Sequence, residues 1–264
     1  MKNILGAVLF VTLGIELFPP PFIYAVENPA KMKQEVGLTQ KIGSGVSLDL
    51  KFTDSTGSTH PLSYYITKGV PAIIVPVYYH CPRLCGLVTK GVFKALRQIN
   101  LTPGKDYSLL FISIDTSESY KLAAQRKKER HSFLEGSRIK LSDYHFLVGK
   151  DRSVSTLMDE IGYRYKKDGD DYAHTAAIAI LTPDGTISRY FTGIDFPPGD
   201  LRLSLVEASK GEIGDIIDQV LLYCFRFDPT KGRYTWVALN TMKVGGVITL
   251  ALLGTLLGVL WLKS

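Results

Sequence analysis

The sequence predicts an α/β fold with a mixed central sheet and helices on both faces. Two nearly continuous apolar runs, residues 72–78 and 107–114, have the length and composition of strands that are covered on both faces. Between them, residues 86–99 carry apolar side chains at helical spacing. Two further apolar runs, 175–181 and 186–191, flank the turn sequence Thr-Pro-Asp-Gly, which indicates a hairpin.

The other elements of the domain are predicted from patterns of the same kind. Residues 46–52 alternate between apolar and polar, and an Asp-Ser-Thr-Gly turn follows them, which indicates an N-terminal hairpin. Residues 117–133 are polar and basic, as is typical of an exposed helix. A short strand, a short helix and a final helix are predicted at 144–148, 153–161 and 213–225.

The composition excludes several classes of protein. The chain has 264 residues, of which 45% are hydrophobic and 21% are charged, so it is long enough for one packed domain and too apolar to be mainly disordered. Three cysteines are too few for a scaffold held by disulfides. A net charge of +6 is modest for a nucleic-acid-binding protein, and no nucleic-acid partner is expected.

The N-terminus is typical of a secretory signal peptide, predicted at residues 1–25. Lys2 precedes an uncharged run at residues 3–15. As a helix this run would be roughly 20 Å long, which is too short to span the roughly 30 Å hydrocarbon core of a membrane. Three prolines and then Ala25 follow it.

The C-terminus predicts a transmembrane helix at residues 244–262, joined to the domain by a linker at 226–243. The helix would hold 19 uncharged residues between two lysines, and its length of about 28 Å can cross a bilayer. Basic residues before this span favour a cytoplasmic domain. The signal peptide favours an exported domain. We give the signal peptide more weight, because a chain that is already being translocated can be retained in the membrane only by its last hydrophobic span. We therefore expect a C-terminal anchor in the cell membrane, with the soluble domain on the extracytoplasmic (periplasmic) side.

Cys81 and Cys85 are the most distinctive chemical feature. They lie in the segment His-Cys-Pro-Arg-Leu-Cys-Gly, which follows a buried strand and begins a helix. Residues four apart share one face of a helix, and the positive end of the helix dipole favours the thiolate. Two thiolates on one face can bind a soft ion such as Cu(I) or close into a disulfide. A purely stabilising disulfide is the weaker alternative, because so short a loop removes little entropy from the unfolded chain.

Two cysteines leave a metal ion with too few ligands, so a third donor is expected. His174 is the first candidate, because it lies directly before an apolar strand and can face a neighbouring loop. His80 is the alternative, although it is adjacent to Cys81 and neighbouring side chains point apart. Surface or core positions are expected for His60, His131 and His145. Cys224 lies in an apolar segment and is expected to be a buried thiol.

These residues resemble the Sco/SenC family of copper-binding, thioredoxin-like proteins. Besides the HCPxxC segment, the resemblance rests on Phe111–Asp115, Tyr144–Gly149 and the segment Asp171–Thr175 with the Thr-Pro-Asp-Gly turn after it. It implies a thioredoxin-like domain at residues 36–225 with an N-terminal hairpin extension. It also implies a site for copper, as Cu(I) or Cu(II), formed by Cys81, Cys85 and His174.

The resemblance further implies a role in assembling the copper A centre of a haem–copper (cytochrome c) oxidase. The chain would act there as a copper metallochaperone, as a thiol–disulfide reductant, or as both. The partners implied are the copper A-containing oxidase subunit, other thiol or copper-carrying proteins, and the membrane through the C-terminal helix.

Two other functions stay open at this point. One is an extracytoplasmic thiol–disulfide oxidoreductase or peroxide-reducing enzyme of the same fold without obligatory copper, in which Cys81 attacks and Cys85 resolves. The other is an adaptor whose basic helix binds an acidic partner.

This chain departs from the family's usual CPDVCP sequence at two positions. Arg83 replaces the acidic residue, and Gly86 replaces the second proline. The added positive charge is expected to lower the pKa of the thiols and to weaken Cu(II) binding relative to Cu(I).

Overall fold

A computed structural model describes residues 35–213 and, beyond them, residues 227–228, 233–234, 246, 249, 253–255 and 258. The signal peptide predicted at 1–25 lies outside the described residues, as does Cys224. The helix predicted at 213–225, the linker at 226–243 and the membrane span at 244–262 lie largely outside them. Within the described part of the chain, no helix is both long enough and apolar enough to cross a membrane.

The strands of the described chain follow in order: β1 (Gly37–Leu38), β2 (Lys51–Asp54), β3 (Thr59–Pro61), β4 (Ala72–Val77), β5 (Ser108–Ser113), β6 (His145–Gly149), β7 (Tyr163–Asp168), β8 (Asp171–His174), β9 (Ala177–Leu181), β10 (Ile187–Thr192), β11 (Phe227–Asp228) and β12 (Arg233–Tyr234). The helices are α1 (Leu62–Tyr65), α2 (Leu84–Leu96), α3 (Tyr120–His131), α4 (Asp151–Glu160) and α5 (Pro198–Ser209), with short 3₁₀ turns at Ser132–Leu134 and Leu141–Asp143.

The described residues form two compact units. The larger unit comprises Thr39–Gly162 and the chain from Ala176 onward. The smaller unit comprises residues 35–38 and Tyr163–Thr175.

The larger unit is built on a seven-stranded mixed sheet with the order β10-β9-β4-β5-β6-β2-β3. Strand β5 runs parallel to β4 and to β6, and the other neighbours in the sheet are antiparallel. Every residue of β4 and β5 is buried, as expected for central strands that are covered on both faces. The predicted α/β class, with a mixed central sheet and helices, is therefore confirmed.

Helix α2 follows β4 and presents its apolar face to the core. Val88, Val92, Phe93 and Leu96 recur at helical spacing and are all at most 2% exposed. Gly91 allows a close approach on this face, because a Cβ atom there would lie 1.9 Å from the carbonyl oxygen of Ile194. The position of α2 relative to the sheet is thus fixed by packing that leaves no room for a larger side chain.

The smaller unit is a three-stranded antiparallel sheet with the order β1-β7-β8. In this sheet Tyr165 on β7 pairs with His174, the last residue of β8. Strands β7 and β8 are not predicted from the sequence, because their residues are mostly polar and lack a clear alternation.

Three other sequence predictions differ from the structure. The strand predicted at 46–52 begins only at Lys51. The residues before Lys51 do not form regular strand hydrogen bonds; Val46 N, for example, donates to Gly185 O. The strand predicted at 175–181 begins at Ala177. The last helix within residues 35–213 is α5, which the sequence analysis does not predict because its Pro-Pro-Gly-Asp start has the composition of a loop.

Candidate metal centre

The two cysteines lie on the connection between β4 and α2. Cys81 is in the loop, and Cys85 is the second residue of the helix. The Cys85 amide donates to Cys81 Sγ at 3.3 Å, and the Tyr78 amide donates to Cys85 Sγ at 3.3 Å. No disulfide joins the two cysteines. The two sulfurs lie close together, but Cys81 precedes the helix, so the predicted shared helix face is not the reason.

The environments of the two sulfurs differ. Cys81 is 8% exposed and Cys85 is 1% exposed, so Cys81 is the sulfur nearer to solvent. The hydrogen bond with Cys81 and then burial raise the pKa of the Cys85 thiol far above its ordinary value. For Cys85 this is opposite to the direction predicted from the helix dipole. Removing the Cys85 thiolate from water costs more free energy than its interaction with the helix dipole contributes.

A buried carboxylate holds the cysteine loop. Glu118, whose side chain is fully buried, accepts hydrogen bonds from the backbone amides of Tyr79 at 2.8 Å and His80 at 2.7 Å. It also accepts from Ser113 Oγ at 2.6 Å. These contacts fix the backbone immediately before Cys81. Glu118 is not predicted as a functional residue from the sequence, in which the only available signal is its place in a polar segment directly after a buried strand.

His80, the alternative third ligand, lies beside this carboxylate. Its Nδ1 is 3.0 Å from Glu118 Oε1, and its side chain is 66% exposed. The ring is therefore held at the surface of the loop by Glu118.

Helix α3, predicted as an exposed basic helix, also contacts the cysteine loop. Arg126 Nε donates to the Tyr79 carbonyl oxygen at 2.8 Å, and Arg126 Nη1 pairs with Glu129 at 2.7 Å. Glu118 and Arg126 therefore hold the backbone of Tyr79 through its amide and its carbonyl group.

In the smaller unit, His174 ends β8 with a defined side-chain environment. Its Nδ1 lies 3.0 Å from Thr175 O and 2.8 Å from Tyr163 Oη, and Tyr163 Oη donates to Thr175 O at 2.6 Å. Because Thr175 O can only accept, we assign the imidazole proton to Nδ1. The lone pair of this tautomer is on Nε2, and a backbone partner at the other nitrogen is common for histidines that bind metals.

The candidate donor group consists of the sulfurs of Cys81 and Cys85 in the larger unit and the imidazole of His174 in the smaller unit. Their donor set fits copper, because two thiolates and one neutral imidazole suit Cu(I) and other soft ions. His60, His80, His131 and His145 do not belong to this group.

A mixed sheet whose central strand leads through a cysteine pair into a helix defines a protein of the thioredoxin-like class. The SCO1/SenC family profile matches residues 44–204, which is more than half of the chain and includes both cysteines and His174. The chain therefore belongs to the SCO1/SenC family, which confirms the resemblance noted from its motifs.

Solved structures share this fold. A proposed electron transfer protein from Aquifex aeolicus VF5 is 25% identical with a TM-score of 0.57, and the match covers 65% of this chain and 95% of that one. A proposed electron transport protein from the same organism is 23% identical with a TM-score of 0.54, covering 65% and 99%. A SCO1/SenC family lipoprotein from Bacillus anthracis str. Ames is 15% identical with a TM-score of 0.53, covering 66% and 99%. No curated protein sequence matches the chain.

Replacing Glu118 by Gln tests the role of the buried carboxylate. Oε1 and Oε2 of Glu118 each accept hydrogen bonds. In the Gln variant an NH₂ group would replace one of these oxygens and would face donors that it cannot accept from. We expect the free energy of unfolding in urea to fall by about 2 kcal/mol, the typical cost of buried polar groups that lose their partners. The exposed Glu135→Gln is the matched control, and equal stability of the two variants would contradict this role.

Proposed function

We propose that this chain binds copper through Cys81, Cys85 and His174 and delivers it during assembly of the copper A centre of a haem–copper oxidase. The observation that carries the proposal is the pair of cysteines between β4 and α2, in which the Cys85 amide donates to Cys81 Sγ. Membership of the SCO1/SenC family supports it. The tautomer of His174 supports a third ligand, Nε2, in the same donor set.

In this function copper is the cargo of the protein. Binding one Cu(I) ion displaces the protons of Cys81 and Cys85, so two protons are released and copper affinity falls in acid. The hydrogen bonds that Glu118 accepts and Arg126 donates keep the loop, and with it Cys81, in place before the ion arrives. Delivery requires ligand exchange with no change in the oxidation state of copper: donor groups of the receiving protein replace the thiolates one after another. Cys81, the more exposed sulfur, is the first point of exchange.

The receiving partner that we propose is the copper A-containing subunit of such an oxidase. Other thiol or copper-carrying proteins would supply the ion. Cysteines that receive Cu(I) must themselves be reduced, so a chain that delivers copper benefits from a reactive thiol pair.

Copper titration of the purified, reduced full chain tests the site. We expect one Cu(I) per chain. Cys81→Ser, Cys85→Ser and His174→Ala should each weaken binding by more than about a hundredfold, since even the partners of metal ligands typically account for about 10–100-fold in affinity. His60→Ala is the control, because His60 is not in the donor group. A stoichiometry that is unchanged in Cys81→Ser and His174→Ala would exclude the proposed site.

A second candidate function, thiol–disulfide exchange, is favoured by the different exposure of the two thiols. Cys81, as thiolate, would attack a sulfur of a partner's disulfide, forming a mixed disulfide and releasing one partner thiolate. Cys85 would then attack Cys81 Sγ, forming the Cys81–Cys85 disulfide and releasing the second partner thiolate. The partner gains two electrons and two protons, and the chain loses the same number. This reaction needs no copper and is compatible with delivery.

Exchange with a disulfide-bonded peptide in the presence of a copper chelator tests this second function. Cys81→Ser should abolish the reaction, and Cys85→Ser should stop it at the mixed disulfide, which mass spectrometry detects. His174→Ala should retain the reaction, because the histidine has no part in either attack. If Cys81 stays inaccessible to alkylation even after reduction, thiol exchange is excluded.

We also propose that the chain is exported and anchored by residues 244–262, with its domain on the extracytoplasmic side of the cell membrane. The hydropathy and charge pattern of the two ends supports this location. Protease added to intact spheroplasts should digest the domain, and a carbonate wash should leave the chain in the membrane fraction. A domain that is digested only after lysis would place it in the cytoplasm and contradict the proposal.

A further inference from the structure

Arg130, in the last turn of α3, lies against the helix that carries Cys85. A Cβ atom built on Gly86 would lie 2.8 Å from Arg130 Nη1, 3.6 Å from Cζ and 3.7 Å from Nη2. The guanidinium group therefore occupies the space that any side chain at residue 86 would need. Gly86 follows Cys85 directly, so the positive charge lies close to the start of α2.

The contacts of the Arg130 guanidinium group differ from those of the neighbouring arginine on α3. Arg130 is partly buried, and no hydrogen bond or ion pair of its side chain occurs among the described residues. Its neighbour Arg126, in contrast, binds the Tyr79 carbonyl oxygen and Glu129. A partly buried cation usually has a partner anion, because removing the charge from water is costly.

The groups near Arg130 that can carry a negative charge are the sulfurs of Cys85 and Cys81 and the carboxylate of Glu129, which itself pairs with Arg126. Burial lowers the pKa of Arg130, and the charges of Cys85 and Cys81 oppose that shift. Because Glu129 already pairs with Arg126, negative charge on the cysteine pair makes the position of the Arg130 guanidinium group more favourable.

We propose that Arg130, placed by Gly86, is a positioning residue that makes the cysteine pair prefer Cu(I) to divalent ions. The inference rests on the proposed copper site. Two thiolates and a neutral imidazole around Cu(I) carry a net charge of −1, whereas the same ligands around a divalent ion are neutral. A fixed positive charge next to the site stabilises the anionic Cu(I) complex and has little effect on the stability of the neutral complex with a divalent ion.

The test compares the affinities of the full chain for Cu(I) and for Cd(II), a divalent ion that thiolates bind and do not reduce. Each affinity is measured by competition with a chromophoric chelator under anaerobic conditions. Arg130→Gln should lower the preference for Cu(I) over Cd(II) by about tenfold, the effect of one charge several Å away at an effective dielectric constant of about 20, reduced by solvent. Arg130→Lys, which keeps the charge, should restore most of the preference.

Gly86→Ala provides an independent variant. Its new methyl group would meet the flexible end of the Arg130 side chain, so the guanidinium group should move away while the fold is kept. We expect Gly86→Ala to lower the preference for Cu(I) over Cd(II), as Arg130→Gln does. Lys128→Gln is the matched control, because it removes one positive charge from an exposed position on the same helix.

The outcomes separate this inference from the proposed function. If Arg130→Gln weakens both ions equally, or leaves the preference unchanged, Arg130 has only a structural role and the inference is wrong, although the copper site stands. If the native chain binds neither ion, the proposed copper function is wrong, and the inference falls with it. Circular dichroism and thermal unfolding of each variant confirm that the differences in preference arise in folded protein.

Discussion

The hydrogen bonds between Glu118 and the loop after β4 are the constraint on which the cysteine site depends. One buried carboxylate accepts from two successive backbone amides and from Ser113 on the neighbouring strand. This ties the loop to the end of β5, so the position of Cys81 is set by the sheet and not by the loop alone. A carboxylate without these donors would be very costly to bury, and for this reason the loop and the acid stabilise each other.

The same site shows how burial and the helix dipole compete. The beginning of α2 offers a partial positive charge, which alone would favour thiolates. At Cys85 the hydrogen bond with Cys81 and then burial outweigh this effect and raise the pKa of the thiol. Cys81 retains some access to solvent. The two sulfurs are therefore unequal although the motif presents them as a pair, and this inequality suits a site in which one sulfur meets the partner first.

Basic residues of α3 illustrate the limits of reasoning from composition. Their sequence predicts a solvated helix face, and Lys121 and Lys128 are indeed exposed. Arg126 and Arg130 instead point to the cysteine loop and to the start of α2, respectively. Both contacts join residues that are more than 40 positions apart in the chain, so no local pattern in either segment indicates them.

The sequence by itself determined the α/β class, the central strands β4 and β5, helix α2 and the identity of the two cysteines. These features depend on local periodicity and on residue chemistry, which can be read along the chain. It did not determine strand β8, which carries His174, or its neighbour β7, because polar strands have no hydrophobic signal. Only the tertiary structure decided that Glu118 is buried beneath the loop, that the pKa of Cys85 rises, and that Gly86 makes room for Arg130. Each of these depends on which distant segments pack together, and burial and electrostatic interactions arise from that packing.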